Sequence, residues 1–183
     1  MNQKQTENEI KVFLASSSEL DLERAHIGDL FNDINSILAD TNVRLRLLKW
    51  ENFNPAFTGE RKQGEYDQQV KKADVFIALF RSLAGKYTLE ETDVAKAAHT
   101  ENRRPEELYC FIQDYQEKRE FDVDELKAQL GADYLIDSFT SINDLKLKLI
   151  NIFSPRLNSL GVNVTETGKF IQIVSVNFLR KHG

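Results

Sequence analysis

Residues 74 to 80 have the sequence DVFIALF, the most apolar run of this 183-residue chain. Six consecutive apolar residues between a charged residue on either side are too few for a typical buried helix and suit a strand. A strand without polar alternation is covered on both faces, as in the centre of a parallel sheet. The run therefore predicts an α/β fold in which these residues form a central strand.

On both sides of this run, short apolar segments alternate with amphipathic ones. Strand-like runs, each followed by a segment with helical spacing, occur five times in succession. This alternation predicts an α/β, flavodoxin-like open five-stranded parallel sheet with helices on both faces. The predicted strands are 11 to 16, 43 to 50, 74 to 80, 107 to 113 and 134 to 139, and the predicted helices lie at about 18 to 38, before Ala73, at 88 to 99, 124 to 130 and 142 to 153.

The two ends of the chain differ from this pattern. Residues 1 to 9 are polar and aperiodic, which predicts a disordered terminus before a domain spanning residues 10 to 156. Residues 157 to 183 contain the strand-like run FIQIVSVNFL with no helix after it. We expect this segment to be a C-terminal extension or the start of a further region, with the run as an added edge strand or the opening of another domain.

Composition narrows the function classes. A formal charge of −5 disfavours a surface that neutralises nucleic-acid phosphates, so no direct nucleic-acid binding is expected. No segment approaches the roughly 20 apolar residues of a membrane span, and the N-terminus lacks the apolar centre of a signal peptide. Cys110, the single cysteine, is expected to be an inert core thiol. These features predict a cytoplasmic protein with no membrane partner.

Several catalytic devices are missing from the sequence. Neither Gly-Lys pair has the earlier glycine of a P-loop, and neither G-x-G-x-x-G nor G-x-S-x-G occurs. The three histidines are isolated, so no metal site is predicted. Phe80 stands where a phospho-receiver domain would carry its acceptor aspartate.

Ligands of open parallel sheets bind beyond the carboxyl ends of the strands. The residues found there are Ser16 and Ser17 after the first strand, Trp50 after the second, and Arg81 after the third. Each has an alternative structural role. The serines could cap the first helix, and Trp50 could either stack on a ring of the ligand or pack in the core.

Glu91 is the best placed carboxylate of the sequence. In GKYTLEETDVA, residues 85 to 95, Thr88 and Glu91 have the spacing of a capping box, with Thr88 as N-cap and Glu91 at N3. There the helix dipole would favour an ionised carboxylate. Such a carboxylate could bind ribose hydroxyls and stabilise an oxocarbenium-like transition state, or it could only cap the helix.

The strings VFLASSSELDLERAHIGDLF, residues 12 to 31, and GKYTLEETDVA resemble bacterial TIR and TIR-like domains. They are most similar to the divergent type found as the N-terminal effector of signal-transduction NTPases in bacterial immunity. The resemblance spans about residues 10 to 155, and its most specific part is G-x-Y-T-x-x-E-x-x-x-A. The common W-C-x-x-E around the glutamate is replaced here by K-Y-T-L-E-E.

The resemblance implies an enzyme, an NAD glycohydrolase of antiphage defence that releases nicotinamide and gives ADP-ribose or a cyclic isomer. NAD is then the substrate, with no separate cofactor. Glu91 would be the catalytic residue, and residues 51 to 64 would correspond to the loop that shapes the site and takes part in self-assembly. The implied partners are further copies of the domain and a downstream sensor or NTPase region. Substrate contacts are expected at Ser16, Ser17, Trp50, Arg81 and Tyr87.

Two other functions are compatible with the same residues. A nucleoside deoxyribosyltransferase relative would share the parallel α/β layout and use a strand-end glutamate covalently. A non-enzymatic TIR-type signalling module would only self-associate, and the altered residues around Glu91 keep this alternative open.

Overall fold

The computed structural model describes residues 8 to 49, 63 to 167 and 170 to 176. Five parallel strands form one sheet in the order β2-β1-β3-β4-β5. The predicted flavodoxin-like fold class is confirmed. The strands are β1 (Asn8–Ser16), β2 (Val43–Leu48), β3 (Val75–Phe80), β4 (Glu107–Gln113) and β5 (Tyr134–Phe139).

Helices cover both faces of the sheet. One core cluster contains residues of the first and fifth helices, and a second contains residues of the other three. We call these sides the α1 face and the α3 face. The helices are α1 (Asp21–Ile37), α2 (Gln63–Lys72), α3 (Lys86–Asn102), α4 (Val123–Leu130) and α5 (Ile142–Ser159). None of those described is long and apolar enough to span a membrane.

The strands supply both cores by alternation. Val12 and Leu14 of β1 point to the α1 face, whereas Phe13 and Ala15 point to the α3 face. All six residues of β3 are buried. This explains why its sequence lacks polar alternation, since β3 lies at the centre with helices on either side.

α1 begins later than its predicted start at about residue 18. A 3-10 turn, Ser18–Leu20, precedes the helix, and no side chain caps either element. The turn buries Leu20 completely and directs Glu19 to the loop after β3. Those two contacts account for the later helix start at Asp21.

The end of the described chain forms a separate hairpin. β6 (Val162–Thr167) and β7 (Phe170–Val176) pair antiparallel in a two-stranded sheet of their own, so β7 is not an added edge strand of the main sheet. Val162 belongs to the core of the α1 face. α5 continues to Ser159, past residue 156, and the division of the chain there stays a prediction.

Candidate active site

The strand order creates a crevice at the carboxyl edge of the sheet. β1 lies between β2 and β3, so the chain leaves β1 towards one side and β3 towards the other. Crevices at such switch points are the usual ligand sites of open α/β sheets. In the sheet register Ser16 is opposite Leu79, which makes the residues after β1 and β3 the two walls of this crevice.

Ser16 and Ser17 lie on opposite sides of the sheet, as the alternation of β1 requires. The Oγ of Ser16 accepts a hydrogen bond of 2.8 Å from Nη1 of Arg24 on α1. Ser17 instead meets the start of α3, where its Cβ lies 3.4 Å from the position that a Cβ on Gly85 would occupy. The structure therefore brings Ser17, and not Ser16, to the helix that carries Glu91.

The N-cap of α3 lies three residues earlier than the predicted one. Gly85 is the N-cap residue, and its carbonyl accepts the first helical hydrogen bond from the amide of Leu89 at 3.0 Å. Thr88 is thus the third helical residue and Glu91 the sixth, so the predicted capping box is wrong. Thr88 is only 2% exposed, because its side chain packs inside the first turn beside Gly85.

Because of this shift, the helix dipole does not explain the position of Glu91. The dipole effect decays within the first turn, and Glu91 lies in the second. Its placement follows instead from burial, since Glu91 is 6% exposed and carboxylates are rarely buried to this degree. The inward stripe that contains it is otherwise made of small residues, which let α3 approach the sheet closely. The stripe comprises Thr88, Glu91, Thr92, Ala95 and Ala98.

α3 is also fixed by a hydrogen bond from the far edge of the sheet. The hydroxyl of Tyr134, at the start of β5, donates to the carbonyl of Thr92 at 2.8 Å. The hydroxyl of Thr92 donates to the carbonyl of Leu89 at 2.7 Å. The turn that carries Glu91 is therefore tied to β5 by the Tyr134 hydroxyl.

Glu19 joins the two walls of the crevice. Its Oε1 accepts hydrogen bonds of 2.9 Å from the amides of both Ser82 and Leu83, and one of 3.1 Å from the Ser17 hydroxyl. The Ser82 hydroxyl donates to Oε2. Burial by itself would raise the pKa of Glu19, but these hydrogen bonds outweigh it and the pKa is lowered. An ionised Glu19 thus ties the loop after β3 to the turn after β1.

Arg81, a predicted substrate contact, is engaged on the α1 face. Its Nη2 lies 2.6 Å from Oε1 of Glu23, and its Nε donates to Oε1 of Gln113 at 2.5 Å. The other carboxylate oxygen of Glu23 is buried and has no partner among the described residues. Arg81 therefore connects α1 to the end of β4, and a substrate role for it stays a prediction.

Two further arginines extend this network. Arg24 is 2% exposed, pairs with Asp21 and donates to the carbonyl of Ser17 at 2.7 Å. Arg119, in the loop after β4, donates to the carbonyls of Gln113 at 2.8 Å and Arg81 at 3.1 Å. No sequence pattern predicted these arginines, or Glu19 and Glu23, as residues of the site. Glu19 and Glu23 bind residues after β3 that lie 58 to 64 positions away in sequence.

The other residues singled out from the sequence lie elsewhere. Tyr87 is the second residue of α3 and is 56% exposed. Trp50 and residues 51 to 62 of the predicted site loop lie outside the described residues. Cys110 is fully buried, and burial raises the pKa of its thiol to about 12, as expected for an inert core residue. His99 Nδ1 lies 2.7 Å from the carbonyl oxygen of Pro105.

No group of three or more potential metal ligands occurs within the described ranges. The candidate site is therefore made of carboxylates, hydroxyls, guanidinium groups and backbone amides. Of the predicted site residues, Ser17 lies against α3, the helix that carries Glu91. Ser16 and Arg81 lie on the opposite face of the sheet.

The chain is similar to several solved structures, two of which are described here. No family model matches the chain, and no curated protein matches it. The Clostridium botulinum CMP N-glycosidase BcmB is 14% identical, with a TM-score of 0.49 over 78% of this chain and 98% of that one. The flavodiiron core of Flv1 from Synechocystis sp. PCC6803 is 13% identical, with a TM-score of 0.42 over 79% of this chain and 34% of that one. At these values neither likeness carries an inference about ligand or reaction.

Proposed function

We propose that this chain is a TIR-like NAD glycohydrolase that breaks the bond between nicotinamide and ribose, with Glu91 as its catalytic residue. The observation that carries the proposal is the burial of Glu91, at 6% exposure, in the helix that follows β3 beside the switch point. The motif G-x-Y-T-x-x-E-x-x-x-A, residues 85 to 95, supports the same assignment through its resemblance to TIR domains.

A buried carboxylate suits this reaction for electrostatic reasons. The transition state of glycosidic cleavage has positive charge on the anomeric carbon and the ring oxygen of the ribose. A carboxylate near these atoms stabilises that charge more strongly where water is excluded. Its hydrogen bonds to ribose hydroxyls would also orient the sugar.

The proposed reaction needs no general acid, because the leaving group is not protonated. The C1'–N bond of NAD breaks, and nicotinamide leaves as a neutral pyridine with the bonding electron pair. Water then forms a bond from its oxygen to C1' and releases one proton to the solvent, giving ADP-ribose. An attack by an atom of the adenine ring on C1' would give a cyclic isomer instead.

The surroundings of Glu91 provide the rigidity that the step needs. Thr92 and Tyr134 hold its helical turn, and Glu19 holds the loop leading into α3. A carboxylate fixed in this way loses little energy to reorganisation during the reaction.

The proposal includes activation by self-assembly in the cytoplasm, as part of antiphage defence. Copies of the domain would be brought together by a downstream sensor or NTPase region or by a partner protein. This part rests on the resemblance, and it determines how activity must be measured, because a monomer without activity would not contradict it.

The test uses protein assembled by fusion to an oligomeric scaffold and incubated with NAD. Glu91→Gln should lower nicotinamide release by about 100-fold or more, because the neutral amide cannot stabilise the developing charge. Glu90→Gln is the matched control, since Glu90 is next in sequence, half-buried and paired with Lys86 at 3.8 Å. It should retain activity within about threefold. Equal rates for wild type and Glu91→Gln would overturn the assignment.

A further inference from the structure

We propose that the outer edge of β5 is an interaction surface for a second copy of this chain, with the two β5 strands paired antiparallel about a two-fold axis at Ile136. The pairing joins two five-stranded sheets into one. The inference concerns association alone, so it goes beyond the proposed function and does not depend on the reaction.

β2 and β5 are the two edge strands of the main sheet. The unpaired backbone groups of an edge strand can bind a strand of another chain unless something covers them. The two edges of this sheet differ in what lies against their outward N–H and C=O groups.

The outer edge of β2 is covered by polar side chains of its own chain. The Leu45 amide donates to Oδ1 of Asn35 at 2.9 Å, and Nδ2 of Asn35 donates to the Leu45 carbonyl at 2.8 Å. The Val43 amide donates to Oγ1 of Thr41 at 3.0 Å. A further strand could pair with these residues only by displacing those hydrogen bonds.

The outer edge of β5 is closed near its ends and open in the middle. The Tyr134 amide donates to the Gly131 carbonyl, and the Ser138 amide donates to Oδ1 of Asp137 at 2.8 Å. Alternate residues of a strand direct their backbone groups to the same side, so Ile136 faces outward with these two. None of the described residues bonds the N–H or C=O of Ile136 on that side.

The open position selects a second copy in one register. In an antiparallel pair, two residues directly opposite each other can exchange both of their N–H···O=C bonds. Ile136 opposite Ile136 of a second copy makes such a pair, and the two-fold symmetry satisfies both copies alike. A shifted register would place Ile136 opposite Tyr134 or Ser138, whose amides are already bonded.

An exposed leucine lies beside this position. Tyr134 and Ile136 pack in or against the core of the α3 face, so the next residue, Leu135, projects on the α1 face, where it is 61% exposed. In the proposed pair it lies directly opposite Asp137 of the second copy and diagonally beside the other Leu135. Association therefore removes apolar surface of both leucines from water.

The charge of the edge lets two copies approach. The chain carries a formal charge of −5, but Asp137 of β5 is paired with Lys148 of α5. The hydrogen bond from Lys148 lowers the pKa of Asp137, so the carboxylate is ionised and the ion pair is neutral as a whole. β5 can thus meet a second β5 without the repulsion that unpaired carboxylates would cause.

The first measurement is analytical ultracentrifugation of the full chain over a range of protein concentrations. Wild type should form a reversible dimer. Ile136→Pro removes the outward N–H but no donor to β4, and edge strands tolerate proline at such positions. It should weaken the dimer about tenfold or more, because both inter-copy hydrogen bonds are lost. A wild type that is monomeric up to about 1 mM would overturn the proposal.

Substitutions at Leu135 test the register without changing the backbone. Leu135→Glu places a carboxylate opposite Asp137 of the second copy and should weaken the dimer about tenfold, whereas Leu135→Lys places a cation there and should weaken it much less. Leu22→Glu is the matched control, since Leu22 lies at the start of α1, is 66% exposed and should leave the dimer unchanged. Equal effects of Leu135→Glu and Leu135→Lys, or of Leu135→Glu and Leu22→Glu, would overturn the pairing.

Amide hydrogen exchange of the wild type locates the interface directly. The Ile136 amide should exchange more slowly as the concentration rises through dimer formation, whereas the Leu45 amide at the covered edge should not change. A dimer in which exchange at Ile136 is independent of concentration would contradict the pairing. Because these measurements use no NAD, the interface can hold when no nicotinamide is released, and it can fail while Glu91 remains catalytic.

Discussion

The two faces of the sheet differ at its carboxyl edge in the polar groups that they bury. On the α1 face, Arg24 and Arg81 donate to carboxylates, side chains and backbone carbonyls around them. On the α3 face, the buried polar residues of α3 are Thr88, Glu91 and Thr92, and the helix starts without a side-chain cap. We propose that the first face is a scaffold and that the second, which holds Glu91, receives the ligand.

Alternation along one strand produces this division. Ser16 turns to the buried arginine of α1, and Ser17 turns to Gly85 and α3. Glu19 is the exception that serves both sides, because it binds the Ser17 hydroxyl and the amides after β3. In the described part of this network, Oε2 of Glu23 is the one buried polar atom without a hydrogen-bond partner.

The largest effect on stability should come from the pair of Arg81 and Glu23. Arg81→Met leaves the buried carboxylate of Glu23 without its cation, which should cost about 3 kcal/mol of the free energy of unfolding in urea. The double variant Glu23→Gln with Arg81→Met should recover part of this loss. At a temperature where the variants are folded, the KM for NAD should stay near that of wild type. A raised KM would show instead that Arg81 contacts the substrate.

A smaller loss is expected where the two faces are joined. Glu19→Ala removes a carboxylate that accepts four hydrogen bonds and should cost about 2 kcal/mol. Because folding lowers the pKa of Glu19, its contribution is fully present above the unfolded pKa and is lost as the pH falls through the folded pKa. Urea unfolding between pH 3 and pH 7 should therefore show a shallower acid decline for Glu19→Ala. Parallel curves for the two proteins would contradict the role given to this carboxylate.

The smallest effect on stability is expected at the rim of the α3 face. Tyr87 is 56% exposed, so Tyr87→Ala should change the free energy of unfolding by less than about 0.5 kcal/mol. If Tyr87 contacts the substrate as predicted, the KM for NAD should rise severalfold with kcat nearly unchanged. An unchanged KM would remove Tyr87 from the site.

Sequence patterns were sufficient for the sheet but not for the contacts at its carboxyl edge. The apolar run 74 to 80 and its neighbours predicted all five strands, because each strand must bury its residues. The start of α3 was misplaced because T-x-x-E satisfies a local rule, whereas packing of Gly85 against Ser17 decides the real start. Glu19 and Arg81 bind residues more than 50 positions away in sequence, which no local pattern shows. The opposite directions of Ser16 and Ser17 could have been predicted from the period of the strand.

The most direct test compares the two buried glutamates of the two faces. Nicotinamide release from NAD is measured for assembled Glu91→Gln and Glu23→Gln, each at a temperature where circular dichroism shows it folded. The account predicts a loss of about 100-fold or more for Glu91→Gln and a rate within about fivefold of wild type for Glu23→Gln. Release that survives in Glu91→Gln and is lost in Glu23→Gln would contradict it, because the reaction would then belong to the α1 face.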